Sequence, residues 1–276
     1  MQTNTSKINN FKVADLTQTG NGNVVKPHKY AKLFPNQWFN MYICSKKRSG
    51  KTNLIYNILK QIVDRKKTFI FIYCSTVDKD ETYIKLVEYF KSIGVNIFTN
   101  TSILNEDPDN CEFSLETVVS MMAQKQEQDQ ADDDEELIEE KCIIKLNDTK
   151  KKRRVKPKPI IHDYVIILDD LSNETRNKEV STLMKKNRHF RSRIIISSQY
   201  ANDLAPDALK QVDYFLLLGG HSDDKLELIY KHGDSSLELV EFIDLYRNAT
   251  AKKYDFLYYD TANESYRKNF DEEYRV

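Results

Sequence analysis

The segment SKKRSGKT, from Ser45 to Thr52, constrains the fold of this chain more than any other feature of its sequence. It follows a short apolar run, Trp38–Cys44, and precedes apolar residues at helical spacing over Thr52–Val63. A strand, a glycine-containing turn and a helix in this order form a phosphate-binding loop, in which backbone N–H groups and the positive helix end surround a polyphosphate. The residues expected to bind the phosphates are Ser45, Lys46, Lys47, Arg48, Ser49, Gly50, Lys51 and Thr52.

Each residue type at the end of this segment has a chemical reason. Lys51 is expected to reach the β- and γ-phosphates as a mobile charge, Thr52 to offer its hydroxyl to Mg²⁺, and Gly50 to let the backbone approach the ligand. The segment departs from G-x-x-x-x-G-K-[ST] because Ser45 stands where the first glycine is usual. A serine can make a tight turn there at some conformational cost. The alternative, a chance GKT in a loop, is disfavoured by the strand and helix on either side.

Strand-like and helix-like segments alternate along most of the chain, which predicts an α/β fold with a mostly parallel sheet and helices on both faces. The apolar runs also predict where the individual elements lie. The predicted strands are Thr68–Cys74, Val95–Thr99, Tyr164–Leu168, Arg193–Ser197, Tyr214–Leu218 and Phe256–Tyr259, and the predicted helices are Asp80–Ile93, Glu174–Asn187, Asp223–Lys231 and Ser236–Tyr246. A polar tail is expected after the last strand.

The domain organisation is predicted as an N-terminal lead-in over residues 1–35, with one short strand near Phe11–Ala14, followed by a single domain over 36–276. A charged insertion interrupts that domain at about 105–160, after which the alternation resumes. It includes a predicted helix at Ser114–Met122, nine carboxylates over residues 124–140 and seven basic residues over 150–158. Such charge blocks are typical of a solvated surface elaboration, and an arm that contacts DNA or a partner is the alternative.

Two adjacent aspartates, Asp169 and Asp170, follow the apolar run Tyr164–Leu168 directly. Acidic residues at the carboxyl end of a buried strand lie where a parallel sheet binds its ligands. We expect Asp169 to hold Mg²⁺ through water and Asp170 to act as a general base toward the attacking water. A strand that merely ends in aspartate is the alternative, and the phosphate loop upstream argues against it.

The strand after the aspartates ends in IIISSQY and is preceded by the basic segment KKNRHFRSR. Gln199 is expected to hydrogen-bond the γ-phosphate or the attacking water and so to report its loss, unless it is simply a polar residue that ends a strand. An arginine of the basic segment is expected to enter a neighbouring subunit's site, Arg188 first, then Arg193 or Arg191. Solvated charges at a helix end are the alternative.

Composition excludes several classes of protein. The chain has 42 Lys plus Arg and 42 Asp plus Glu, so a globally basic surface that coats nucleic acid is not expected. No apolar run is long enough for a transmembrane helix. Cys44, Cys74, Cys111 and Cys142 form no CxxC pair, which disfavours a metal cluster or disulfide framework and favours a reducing compartment.

The motifs SKKRSGKT, VIILDD, NRHF, IIISSQ and FLYYD…YRKNF, in this order, resemble the genome-packaging ATPases of large and mid-sized double-stranded DNA viruses, in the FtsK–HerA group of P-loop ATPases. The resemblance covers roughly residues 35–270 without the insertion. It implies a RecA-like domain that forms a homo-oligomeric ring and uses ATP and Mg²⁺ to translocate double-stranded DNA. Viral capsid proteins are the other implied partners, in the virion or the host-cell cytoplasm where viruses assemble.

The resemblance also assigns roles to individual residues. It places metal binding on Asp169, the catalytic acid on Asp170, the sensor on Gln199 and the arginine finger on Arg188, beside the phosphate-loop roles of the lysine and threonine. Asp170 stands where many relatives have glutamate. Three alternatives stay open: another DNA-pumping ATPase of the FtsK–HerA group, a P-loop nucleotide kinase, and a non-hydrolysing nucleotide-binding scaffold. A kinase would need an arginine-rich lid and no S-Q sensor, and the aspartate pair disfavours a scaffold.

Overall fold

The computed structural model describes residues 28–104, 113–126 and 161–275. Within these ranges the strands form one nine-stranded sheet. The strands are β1 (Asn40–Cys44), β2 (Thr68–Cys74), β3 (Asn96–Asn100), β4 (Asp163–Asp169), β5 (Ser192–Ser198), β6 (Tyr214–Leu218), β7 (Phe256–Asp260), β8 (Ser265–Lys268) and β9 (Glu272–Glu273). Their order across the sheet is β3-β2-β4-β5-β1-β6-β7-β8-β9.

Seven helices connect the strands within the described ranges. They are α1 (Lys51–Ile62), α2 (Glu81–Ser92), α3 (residues 115–126), α4 (Lys178–Lys185), α5 (Pro206–Leu209), α6 (Asp223–Gly233) and α7 (Leu239–Ala249), with 3₁₀ turns at Ser172–Arg176 and Ala201–Asp203. The single helix predicted over Glu174–Asn187 is wrong, because the chain makes a 3₁₀ turn first. The Asn177 side chain then accepts a hydrogen bond from Glu179 N–H and starts α4 as a new helix.

The first six strands of the sheet order, β3 to β6, are parallel, and β7 to β9 are antiparallel. The predicted polar tail after Phe256–Tyr259 is therefore wrong. The chain turns back to form β8 and β9, and the buried Tyr266 ring stacks on Tyr259 with the ring centroids 4.7 Å apart. No sequence pattern indicated β8 because this strand is mostly polar: beside the buried Tyr266, its residues Arg267 and Lys268 are only partly buried.

Two apolar cores cover the two faces of the sheet. In β1, Tyr42 and Cys44 face one core while Met41 and Ile43 face the other, as the alternation of a strand requires. Helices α1 and α2 pack on the Met41 face, and α3 to α7 pack on the Tyr42 face. The predicted α/β class, a mostly parallel sheet with helices on both faces, is confirmed.

The packed domain begins before residue 36. Phe34 is fully buried and packs against Phe39, Tyr214 and Phe270, and Tyr30 is also buried. Residues of the predicted lead-in thus belong to the core, which their mixed polar surroundings concealed. The predicted strand at Phe11–Ala14 and the charged blocks at 127–160 lie outside the described residues.

The strand order brings the predicted site residues to one edge of the sheet. Strand β5 lies between β1 and β4, and its carboxyl end pairs Ser198 with Cys44 and Ser197 with Asp169. The residues that follow these three strands are therefore neighbours. Among the residues described, none of the helices combines the length and the apolar character that crossing a bilayer demands.

Candidate nucleotide-binding site

The phosphate loop leaves β1 by continuing the sheet pairing for one residue. Ser45 is buried, and its N–H donates a 3.0 Å hydrogen bond to the Ser198 carbonyl. Its φ is not positive, so serine is accommodated without the backbone cost expected where glycine is usual. The left-handed positions of the loop are Arg48, at φ 60°, and Gly50, at φ 89°. The tight turn thus falls three residues later than the motif suggests.

Gly50 is constrained twice. Its positive φ favours glycine, and a Cβ atom built there would lie 3.0 Å from Cδ1 of Tyr254. Gly50 is also the N-cap of α1, where no side chain caps the helix and no acidic residue occupies the first turn. The backbone N–H groups at this helix end are left for an anion, as phosphate binding requires.

Lys51 lies beside both aspartates of β4. Its Nζ is 3.1 Å from Asp169 Oδ1 and 3.9 Å from Asp170 Oδ1. Neither Lys51 Nζ nor Asp169 Oδ1 has a hydrogen-bond partner among the described residues, although both atoms are buried. Their contact is an ion pair without hydrogen-bond geometry. Buried charges of this kind fit a site that receives a phosphate and a cation.

Asp169 is oriented by Tyr83 from α2. The Tyr83 hydroxyl donates a 2.7 Å hydrogen bond to Asp169 Oδ2, and both side chains are buried. Burial raises the pKa of Tyr83 well above its usual value, so the hydroxyl keeps its proton. This contact leaves Oδ1 as the oxygen that faces Lys51. Sequence reasoning missed Tyr83, because its spacing with Leu86 and Phe90 is that of an ordinary apolar helix face.

Asp170 and Gln199 are also brought together. Gln199 Nε2 donates a 3.0 Å hydrogen bond to Asp170 Oδ1, while the Asp170 side chain is 35% exposed. Asp170 has a left-handed backbone at φ 53°, and its N–H donates to the Ser197 carbonyl at 3.1 Å. This conformation, which is uncommon outside glycine, turns Asp170 out of the line of β4 beside Asp169.

His221, just after β6, fixes the start of the phosphate loop from the other side. Its Nε2 lies 3.1 Å from the Cys44 carbonyl, and the backbone N–H of His221 donates to the Tyr246 hydroxyl at 3.0 Å. Burial lowers the pKa of His221, so the neutral ring donates through Nε2. Sequence reasoning missed His221 because no motif distinguishes it from an ordinary loop histidine.

A cavity of about 660 Å³ opens over the phosphate loop. Its lining residues include Ser49, Lys51, Thr52, Asp80 and Asp170. No group of three or more His, Cys, Asp or Glu side chains that could hold a metal by itself occurs in the described ranges. Asp169 Oδ1, which accepts no hydrogen bond from the described residues, and the Thr52 hydroxyl are hard oxygen donors that suit Mg²⁺ when a nucleotide supplies further oxygens.

The candidate arginines lie at the opposite edge of the sheet. Arg193 is 1% exposed and donates hydrogen bonds to the Tyr30 hydroxyl and to Asp163. It cannot reach a neighbouring subunit, so the prediction that it could be the arginine finger is wrong. Arg188 is exposed, before the amino end of β5. Because β5 spans seven residues at about 3.3 Å each, Arg188 lies roughly 20 Å from its own phosphate loop.

The phosphate loop lies between β1 and α1, and the aspartates follow β4, which is separated from β1 by β5. This arrangement is the fold of a P-loop NTPase. No known family profile matches the sequence, and no curated protein matches it. The structure resembles the genome-packaging NTPase B204 from Sulfolobus turreted icosahedral virus 2 in complex with AMP. The identity is 16%, the match covers 85% of this chain and 98% of that one, and the TM-score is 0.51.

Two related structures give the same picture. The DNA-packaging ATPase B204 from Sulfolobus turreted icosahedral virus is 16% identical over 84% of this chain and 96% of that chain, with a TM-score of 0.51. The virus 2 protein in complex with AMPPCP is 18% identical over 85% and 98%, with a TM-score of 0.50. This chain thus shares its fold with packaging ATPases of the kind that its motifs resemble.

Proposed function

We propose that this chain is an ATP hydrolase that works with Mg²⁺ and drives double-stranded DNA into a viral capsid. The observation that carries the proposal is the position of Lys51. Its ammonium lies 3.1 Å from Asp169 and 3.9 Å from Asp170, beside an uncapped helix N-terminus. One small volume therefore holds an ammonium group that can bind the phosphates, a carboxylate that can bind the metal and a second carboxylate that can accept a proton from water.

Each side chain has a defined part in hydrolysis. Lys51 stabilises the negative charge that develops on the γ-phosphate. Gln199 orients Asp170 by donating a 3.0 Å hydrogen bond to its Oδ1. Asp170, the more exposed carboxylate, accepts a proton from the attacking water as the water oxygen bonds to the γ-phosphorus and the bond to the β-phosphate oxygen breaks. Mg²⁺, held by Thr52 and Asp169, would neutralise charge on the phosphate oxygens.

Support for DNA as the partner comes from the similar solved structures, one of a genome-packaging NTPase and one of a DNA-packaging ATPase. The formal net charge of zero means that DNA must be held by a local group of basic residues rather than by the whole surface. Capsid proteins at the site of virus assembly complete the proposal.

Assembly of several copies into a ring is part of the same proposal. Arg188 is roughly 20 Å from its own phosphate loop along the seven residues of β5, so it can serve only a neighbour's site. An arginine supplied in trans is worth about 10³–10⁵ in kcat. Turnover per subunit should therefore rise with protein concentration.

Mixing two inactive variants tests the ring. Arg188→Ala and Lys51→Ala have defects on opposite sides of a shared interface, so their mixture rebuilds sites in which an intact lysine meets an intact arginine. We expect partial recovery of ATP hydrolysis. Full activity of Arg188→Ala at every concentration would leave Arg191 or no arginine as the finger.

The function itself is tested by measuring ATP hydrolysis with and without long duplex DNA. Stimulation by long duplex, with little stimulation by short oligonucleotides, is expected of a translocase. Phosphate transfer to a nucleoside monophosphate, without DNA stimulation, would indicate a nucleotide kinase instead. Absence of hydrolysis under both conditions, with ATP bound, would indicate a scaffold.

A further inference from the structure

Tyr254, in the turn between α7 and β7, places its ring against the phosphate loop. A Cβ atom built on Gly50 would lie 3.0 Å from Cδ1 and 3.5 Å from Cε1 of this ring. No other side chain comes as near to that position among the described residues. The contact brings an aromatic side chain from the distant end of the sequence to the start of α1.

The conformation of Tyr254 is costly and burial does not offset it. Its backbone lies in the left-handed region at φ 74°, which is uncommon for a bulky residue. The residue as a whole is nevertheless 59% exposed, so it gains little from packing. Strained backbone positions cluster at functional sites, so a strained and exposed tyrosine beside a phosphate loop points to a functional role for its ring.

The ring lies between two openings of the same loop. It lines the cavity of about 660 Å³ that contains Lys51 and a second cavity of about 320 Å³. The second cavity is basic, since Lys46, Lys252 and Lys253 line it, and Lys253 Nζ lies 4.8 Å from the centroid of the Tyr254 ring. An anionic ligand with a flat aromatic end matches this combination of charge and ring.

We propose that Tyr254 is the stacking platform for the base of the nucleotide whose phosphates occupy the loop. This inference rests on the proposed function, because it requires a nucleoside triphosphate in the site. In this arrangement the phosphates lie at the N-terminus of α1 and the base stacks on the Tyr254 ring. Stacking uses the π-face that every base has, so the platform favours nucleotides over free polyphosphate without selecting strongly among bases.

Binding measurements on the full chain test the platform. ATP, GTP and inorganic tripolyphosphate are titrated calorimetrically into the wild type, Tyr254→Ala and Tyr254→Phe. Loss of one base-stacking contact should weaken ATP and GTP binding about 5- to 150-fold in Tyr254→Ala. Tripolyphosphate, which has no base, should bind all three proteins within about twofold, and Tyr254→Phe should bind ATP like the wild type.

Tyr200→Ala is the matched control. Tyr200 is 49% exposed and has Lys225 Nζ 3.9 Å from its ring centroid, but it lines neither cavity of the loop. The Tyr200→Ala variant should therefore bind ATP with wild-type affinity. A loss of ATP binding equal to that of Tyr254→Ala would overturn the specific role of the platform.

The remaining outcomes separate this inference from the proposed function. Unchanged ATP affinity in Tyr254→Ala overturns the platform while leaving ATP hydrolysis intact. An equal loss of ATP and tripolyphosphate binding would show that the ring only shapes the phosphate loop, which also overturns the platform. A wild-type chain that binds neither ligand overturns both the platform and the function.

Discussion

Strand β4 begins and ends with an aspartate that pairs with a basic side chain, and the two pairs differ in what else holds them. At its amino end, Asp163 pairs with Arg193. The guanidinium also donates to the Tyr30 hydroxyl at 3.0 Å and lies 5.3 Å from the ring centroid of Trp38. This pair is enclosed by several partners and acts as part of the core.

At the carboxyl end of β4, Asp169 pairs with Lys51, whose ammonium has no hydrogen-bond partner in the described part of the chain. Cavity size does not separate the two ends, since cavities of about 590 and 660 Å³ lie at the amino and carboxyl edges. The difference lies in the hydrogen bonds of the two cations: the Arg193 guanidinium donates to the Tyr30 hydroxyl, the Ile62 carbonyl and Asp163, whereas the Lys51 ammonium donates to none of the described residues. Removing one partner of an enclosed pair leaves a buried charge uncompensated, whereas an open pair can exchange partners with a phosphate and a cation.

Replacing Lys51 should have the largest effect on activity. Lys51→Ala removes a charge that acts in the transition state, worth about 10²–10³ in kcat, and lowers ATP affinity as well, so kcat/KM should fall at least about 10³-fold. Steady-state phosphate release measures this. Lys60→Ala, an exposed lysine of the same helix, is the control and should keep wild-type turnover. Comparable turnover in both variants would remove Lys51 from the site.

Replacing Arg193 should affect stability rather than chemistry. Arg193→Met leaves Asp163 without its buried partner, which should lower the free energy of unfolding by about 3–5 kcal/mol in denaturant titrations. Adding Asp163→Asn should restore part of this loss, because the uncompensated charge is then absent. If Arg193→Met unfolds like the wild type yet loses hydrolysis, the pair of Asp163 and Arg193 takes part in catalysis and is not a structural pair.

The hydroxyl of Tyr83 should matter for the metal. Tyr83→Phe keeps the ring in the core but leaves Asp169 Oδ2 without its 2.7 Å donor. Loss of a side chain that orients a metal ligand typically costs about 10–100-fold in metal affinity, so the Mg²⁺ concentration for half-maximal hydrolysis should rise by that factor. Tyr89→Phe, on the same helix, is the control. An unchanged Mg²⁺ requirement in Tyr83→Phe would place the metal elsewhere.

The smallest effect concerns pH. Burial lowers the pKa of His221 in the folded chain, whereas an unfolded histidine has a pKa of about 6.5. The unfolded state therefore binds more protons as pH falls below about 6.5, and the free energy of unfolding decreases toward acid pH.

His221→Gln, whose amide can still donate to the Cys44 carbonyl, should lose stability less steeply over the same range. The pKa of His232 is lowered in the same direction, but that contribution is common to both proteins and cancels. Identical pH profiles of unfolding for the two proteins would mean that the pKa of His221 is the same in the folded and the unfolded chain.

Periodicity predicted the elements that have strong patterns. Thr68–Cys74 and Tyr214–Leu218 form strands with the predicted bounds, because continuous β-branched and aromatic runs suit a sheet buried on both faces. The meeting of Lys51, Asp169 and Gln199 could also be predicted, since parallel strands end at one edge. Their positions follow from the motifs, while their roles stay predictions.

Other features depend on long-range packing that no local pattern encodes. Tyr83 reaches Asp169 across 86 residues, and Tyr254 reaches Gly50 from the other end of the chain. The prediction that Arg193 could be an arginine finger is wrong for the same reason. A basic segment before a strand gives no sign that one arginine is enclosed by Tyr30 and Asp163, which are distant in sequence.

Single-turnover cleavage by Asp170→Asn tests whether the open pair at the carboxyl end of β4 belongs to a site of ATP hydrolysis. The amide fits the place of the carboxylate but cannot accept a proton from water, so the variant should bind ATP with near wild-type affinity. In a rapid-quench experiment with radiolabelled ATP in the bound complex, we expect no γ-phosphate release over many wild-type turnover times. Release at the wild-type rate would mean that Asp170 does not accept the proton of the attacking water and that hydrolysis does not take place at this end of β4.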